Sequence, residues 1–145
     1  MKKIVSIIIF VGLLFAACDT TSLDNDELDG MWYLTQVDTL SNNHSVDYRN
    51  KRIFWSFQGT LVQFNCAENI DYYMSYFTYT GAKLELKDMF YYDRVNGDSI
   101  INSQTLDNIR PFGINNLNED FIIKSIGNSN MVLQNNELRL HFVKY

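Results

Sequence analysis

Few side chains in this sequence could do covalent, metal or acid–base chemistry. There are two cysteines, Cys18 and Cys66, two histidines, His44 and His141, and five acidic residues (Asp19, Asp24, Asp26, Glu27 and Asp29) within eleven positions. Nucleophilic catalysis needs a nucleophile, a base and a group that orients the base. The chain holds no Gly-x-Ser-x-Gly and no phosphate-cradling glycine loop. Glu119-Asp120 is a pair of carboxylates, but it stands at a turn before an apolar strand and is expected to be a solvated strand start. The two histidines are far apart, with no cysteine or acid at ligand spacing. Asp24 to Gly30 has the acidic character of a calcium loop. With Gly30 on the loop glycine, however, the twelfth position is Gln36 and not a bidentate glutamate. The residue types therefore predict no catalytic residues, no metal, no cofactor and no enzyme.

Cys18 is different because of what precedes it. Met1-Lys2-Lys3 is a short positive start, and Ile4 to Ala17 carries no charge and is nearly all apolar. A membrane span needs about 20 apolar residues, so this run has the length of a signal-peptide core instead. It ends in Phe15-Ala16-Ala17-Cys18, which resembles the lipobox of bacterial lipoproteins, with Phe15 where leucine is usual. The resemblance implies cleavage before Cys18 and acylation of that cysteine. Residues 1–17 are then a signal peptide that is removed, 18–28 a lipidated acidic tether, and 29–145 the folded domain. Several acyl chains hold a protein on a membrane firmly, whereas one holds it reversibly. The expected location is the cell envelope, lipid-anchored at the outer membrane, on either its periplasmic or its surface side.

Lys2 and Lys3 leave with the signal, so 10 basic and 17 acidic side chains remain, a net charge of about −7. That balance excludes nucleic acid, whose phosphates require clustered Lys and Arg. Cys66 is left without a cysteine partner. It follows Leu61-Val62-Gln63-Phe64, so burial at a strand end accounts for it better than reactive chemistry.

The elements that must position any site read as β-strands. No long segment shows the 3.6-residue apolar period, whereas alternating, β-branched and aromatic runs recur between Gly, Asn and Asp. Strands are predicted over Met31–Val37, Ile53–Phe64 with a bend or bulge at Gly59, Tyr72–Tyr79 and Lys83–Lys87. A hairpin is predicted from Met89–Tyr92 and Ser99–Ile101 around Asn96-Gly97-Asp98. Further strands follow over Phe121–Ile126, Met131–Leu133 and Leu138–Val143, and 102–118, with the only proline, Pro111, reads as loop. Seven to nine short strands joined by tight turns in sequence order predict an all-β, antiparallel up-and-down β-barrel of about eight strands. Closing it removes exposed edges. Trp32, Leu34 and Gln36 share one face by the period of two, and Ile53, Trp55 and Phe57 share another.

Gly30-Met31-Trp32 is similar to the Gly-x-Trp that opens lipocalins, where the tryptophan closes one end of the barrel. Phe57-Gln58-Gly59-Thr60-Leu61 resembles the second-strand pattern of small lipocalin-like lipoproteins of the Bacteroidetes. Phe121-x-Ile123, Met131-Val132-Leu133 and Leu138-x-Leu140-x-Phe142-x-Lys144 look like their closing strands. Residues 66–118 carry none of these motifs. The resemblance implies a lipocalin-like barrel with Gly30 and Trp32 as structural residues at one end. It also implies a basic residue packed over the tryptophan. Arg139 is the candidate, although its alternation with Leu138 and Leu140 points it outward.

Two functions fit. In the first, an aromatic interior holds a small apolar ligand, with Trp55, Phe57, Tyr72, Met74 and Tyr76 as binding candidates and 40–52 and 102–118 as rim loops. Both faces of 72–79 are aromatic, so which one turns inward stays open. In the second, the barrel core is solid, and an outer aromatic face or the loops dock another envelope protein or a glycan.

Overall fold

The computed structural model describes residue 25, residues 27–68 and residues 71–145. The expected signal peptide and the lipid acceptor Cys18 lie outside the described residues.

Among the described residues ten strands form in chain order: β1 (Gly30–Thr39), β2 (His44–Asp47), β3 (Ile53–Gln58), β4 (Leu61–Cys66), β5 (Tyr72–Tyr79), β6 (Lys83–Tyr91), β7 (Ser99–Ile100), β8 (Glu119–Ile126), β9 (Asn130–Gln134) and β10 (Leu138–Lys144). Eight of them close a barrel in the order β1, β3, β4, β5, β6, β8, β9, β10, and β10 returns to pair antiparallel with β1. The meander expected from sequence order is therefore the observed topology. β2 and β7 are short annexes, the first paired with the far half of β1 and the second with the end of β6. β2 lies in a stretch read from sequence as loop. The hairpin around Asn96-Gly97-Asp98 forms as expected, with Tyr91 opposite Ser99.

The predicted strand over Ile53–Phe64 is two strands. Gln58 pairs with Leu61, leaving Gly59-Thr60 as a two-residue loop, and only Gly59 has positive φ (61°). That is the primed hairpin turn with glycine at its first central position, which matches the right-handed strand twist. Of the bend or bulge expected at Gly59, it is the bend, sharp enough to reverse the chain.

Bulges do occur, elsewhere; besides a register shift in β8 between Ile123 and Ser125, two bear on the site. One lies in β1, where Leu34 pairs with Phe142 but Gln36 with His141. The extra residue reverses the parity of the strand. Val37, rather than the expected Gln36, is buried with Trp32 and Leu34. The other joins the predicted segments Lys83–Lys87 and Met89–Tyr92 into one strand, with Asp88 at positive φ (51°) opposite Ser75.

Candidate functional site

Trp55 occupies the middle of the barrel and is fully buried. Its ring centre lies 4.9 Å from that of Phe64, 5.1 Å from Phe142 and 5.8 Å from Phe121, all near edge-to-face. Such pairs add stability beyond the area they bury. Phe57 continues this cluster towards Phe77, at 5.3 Å.

Both ends of the barrel carry apolar cover. At the end where the chain enters, the Trp32 indole N–H donates to the Leu28 carbonyl at 2.7 Å, and Leu28 is fully buried. Lys144 pairs with Trp32 across β1 and β10, and its Nζ lies 4.7 Å from the ring centre. The basic residue over the tryptophan is therefore Lys144 and not Arg139, which points outward and donates to Gln134. The lysine has the same parity as Leu140 and Phe142, so the period of two carried this signal.

The opposite end is filled by the segment 101–118. Residues 102–118 were expected as a rim loop, yet Ile109, Phe112 and Ile114 are buried, as is Ile101 before them. Two 3-10 turns, Leu106–Asn108 and Arg110–Phe112, fold it inward. The Trp55 indole N–H donates to the Phe112 carbonyl at 3.2 Å, and the Phe112 ring lies 5.9 Å from Phe64 and 5.8 Å from Tyr73. Glu119, 3 % exposed, anchors the base of the segment by accepting the backbone N–H groups of Asn115 and Asn116 and the side-chain amide of Asn135. Its charge is thus met by hydrogen bonds, as burial requires.

The five ligand-binding candidates separate onto opposite sides of the wall. Trp55 and Phe57 face inward, and the inward face of β5 is Tyr73, Ser75 and Phe77. Tyr72 and Tyr76 face out, 42 % and 50 % exposed, with Met74 between them. They join Met31 and Leu61 on an outer face that also shows Ser56, Gln58 and Gln63.

Two hollows open on this outer face. One of about 640 Å³ runs along β1, β3, β4 and β5, lined by Gly30, Met31, Ser56, Leu61, Gln63 and Met74. The other, of about 490 Å³, is lined by Gln63, Tyr72, Tyr92, Asp93 and Arg94. Gln63 belongs to both. Ser56 Oγ and Asn65 Oδ1, at the back of this face, are enclosed and make no hydrogen bond among the described residues. Enclosed polar atoms without partners are uncommon and concentrate where a ligand or water completes them. Beside the hollows, Tyr33 stacks on Phe54 at 5.0 Å and Tyr145 meets Phe54 edge-on at 5.3 Å.

A second polar cluster follows from the β1 bulge, which turns Gln36 and Asp38 to the outside. There the Asp38 carboxylate accepts Ser45 Oγ and Gln36 Nε2, each at 2.7 Å, and contacts His141 Nε2 at 2.7 Å. Burial raises the Asp38 pKa, but these hydrogen bonds and the imidazole charge outweigh it and hold the carboxyl down to about 2. The acid stands between the serine and the histidine, so His141 is not placed to take a proton from Ser45. The order needed for a nucleophilic triad is not met. Cys66, half-buried at the end of β4, donates to the Lys51 carbonyl at 3.1 Å. Among the described residues no three His, Cys, Asp or Glu side chains converge to hold a metal, and no helix is long and apolar enough to cross a membrane.

The likeness to known proteins agrees with this architecture. A crystal structure of a lipocalin-like protein from Bacteroides uniformis superposes with a TM-score of 0.60 over 82 % of this chain and 99 % of that one, at 18 % identity. An uncharacterized protein from Bacteroides eggerthii superposes at 0.54 over 81 % and 98 %, at 17 % identity. At such identities the likeness concerns the fold alone. No curated protein matches the chain. The family model of the lipocalin-like domain matches residues 13–145, and with the closed eight-strand barrel this places the chain in the lipocalin-like family.

Proposed function

We propose that this chain is a non-enzymatic, lipid-anchored envelope protein that binds its partner on the outer face of β1, β3, β4 and β5. The barrel core serves as a rigid scaffold. The observation that carries this reading is the Trp55 cluster with Phe112 tied onto it. The barrel interior holds the buried core side chains and the apolar residues of 101–114, while exposed rings and two hollows lie outside. A small apolar ligand inside the barrel would have to displace the 101–118 segment and break the Trp55–Phe112 hydrogen bond.

Acylation of Cys18 would attach the protein to the outer membrane through the short tether. Asn25 Nδ2 donates to the Gly59 carbonyl and Leu28 is buried under Trp32. The chain is therefore fixed at the Trp32 end within a few residues of the lipid site. That end would face the membrane, with the 101–118 segment directed away.

Two measurements on protein purified from its native envelope test this. On denaturation it should release no stoichiometric small apolar molecule. A photo-crosslinking residue in place of Met74 should give a discrete adduct that the same residue at Ile122, exposed on β8, does not. One apolar compound released at one per chain would overturn the reading.

A further inference from the structure

The hollow walled by Gln63, Tyr72, Tyr92 and Arg94 has a chemistry of its own. We infer that it is a binding site for a sugar ring that carries a carboxylate, the uronic-acid unit of an acidic glycan. This rests on the outer-face reading and names its ligand.

Three features converge. The first is aromatic surface. Tyr72 is 42 % exposed, and its side chain makes no ring contact or hydrogen bond among the described residues. Tyr92 stands beside it, since its backbone N–H donates to the Tyr72 carbonyl at 2.9 Å. The C–H face of a pyranose is apolar and slightly positive, and it packs on the negative face of an aromatic ring.

The second feature is a guanidinium held for a planar anion. Arg94 Nε donates to the Tyr92 hydroxyl, and the guanidinium carbon lies 5.5 Å from the centre of the Tyr92 ring. Its terminal nitrogens make no hydrogen bond or ion pair among the described residues. A free pair of guanidinium nitrogens matches the two oxygens of a carboxylate.

The third is pre-organisation. Asp93 receives the backbone N–H groups of Val95 and Asn96 and the Asn96 amide, while Asp98 receives the Asp93 N–H. These bonds set the turn that presents Arg94, so little ordering remains for the ligand to impose. The Asp93 charge is occupied by those three donors. Gln63 brings an amide that both donates and accepts, as a hydroxyl-rich ring requires.

Other anions fit less well. A single-stranded nucleic acid also uses rings and arginine, but it needs a positive groove along its backbone. This hollow has one cation beside an aspartate, on a chain of net charge −5. An inorganic anion would leave the exposed Tyr72 face unused.

Calorimetric titration of the full-length protein in detergent with a galacturonic-acid oligosaccharide, and with the neutral galactose oligosaccharide of equal length, tests the inference. The acidic oligosaccharide should bind, and added salt should weaken it. The neutral one should bind at least about ten-fold more weakly, and Arg94→Ala should reduce acidic binding by about ten-fold or more, as expected for a lost charge-assisted hydrogen bond. Tyr72→Ala should reduce it as well, and Arg94→Lys should recover only part of the loss. Both side chains are exposed, so circular dichroism should show the variants folded. No binding of the acidic oligosaccharide, equal binding of the neutral one, or indifference to Arg94→Ala each overturns the assignment. Where the sugar fails but crosslinking from position 74 still finds a partner, the ligand class falls and the outer-face reading stands.

Discussion

The indole N–H of Trp55 donates to the backbone carbonyl of Phe112, 57 positions along the chain, at 3.2 Å. It joins the middle of the barrel to the segment that fills its end. Without it the Phe112 carbonyl would be enclosed without a partner, at a cost of about 1–3 kcal/mol. The ring itself contacts Phe57, Phe64, Phe121 and Phe142. Trp55→Phe, which keeps a ring but loses the donor, should therefore lower unfolding free energy by about 1–3 kcal/mol. Trp55→Ala should lower it by about 3–5 kcal/mol. Urea denaturation followed by tyrosine fluorescence measures both. An alanine variant as stable as the parent would mean that the core around Trp55 is not packed as described.

Gly113 is the tightest point of the same segment. It has φ of 84°, and an added Cβ would stand 2.8 Å from Leu140 Cδ2 and 2.9 Å from Cδ1. Gly113→Ala thus combines backbone strain with overpacking, and about 2 kcal/mol of destabilisation follows. The loss should be concentrated in 101–118. Amide exchange there should accelerate while β3 and β4 stay protected. Uniform acceleration across the barrel would show that the segment and the barrel open together.

How much of this was legible differs from residue to residue. The strands β6 and β10 announce themselves by alternation, Leu84 and Leu86 in one and Leu138, Leu140 and Phe142 in the other, because a wall with one apolar face and one wet face has a period of two. Trp32 and Gly30 were readable for the same reason and through the lipocalin likeness. The inward direction of β5 was not, since Tyr72, Met74 and Tyr76 are as bulky and apolar as Tyr73 and Phe77. Only the closure of the sheet decides between such faces. The bulge at Thr35–Gln36 left no mark either, and a one-residue slip moved Gln36 outward and Val37 in. The filling role of 101–118 did leave one. Ile101, Ile109, Phe112 and Ile114 are too apolar for a solvated rim, but their spacing follows neither strand nor helix period. The second hollow depends on β4, β5 and the 92–94 turn meeting, which no local pattern encodes.

Lys144 and Arg139 offer a direct contrast on one strand. Lys144 lies over Trp32 at 4.7 Å, whereas Arg139 donates to Gln134 on the outer wall. A cation over tryptophan contributes about 0.5–2 kcal/mol, the larger figure where water is excluded. Lys144→Gln should therefore destabilise by about 1 kcal/mol, and Arg139→Gln should stay within about 0.5 kcal/mol of the parent. The reverse ranking would mean that Lys144 does not cover the tryptophan in solution.

Acid should expose the Asp38 cluster. The folded carboxyl has a pKa of about 2 against an ordinary value of 3.8, so the unfolded chain takes up this proton first. The contribution is complete above pH 4, falls as the pH drops from about 4 towards 2, and is absent below both values. Its full size is about 2 kcal/mol. Asp38→Asn keeps the shape and an acceptor but removes the titration. The difference in unfolding free energy between parent and variant, from denaturant midpoints at pH 2, 3, 4 and 6, should shrink steadily below pH 4. Other carboxylates titrate in both proteins and cancel in that difference. A gap that stays constant from pH 6 to pH 2 would show that Asp38 ionises no more easily in the fold than in the open chain. The bulge that turns it towards His141 and Ser45 would then contribute geometry without charge stabilisation.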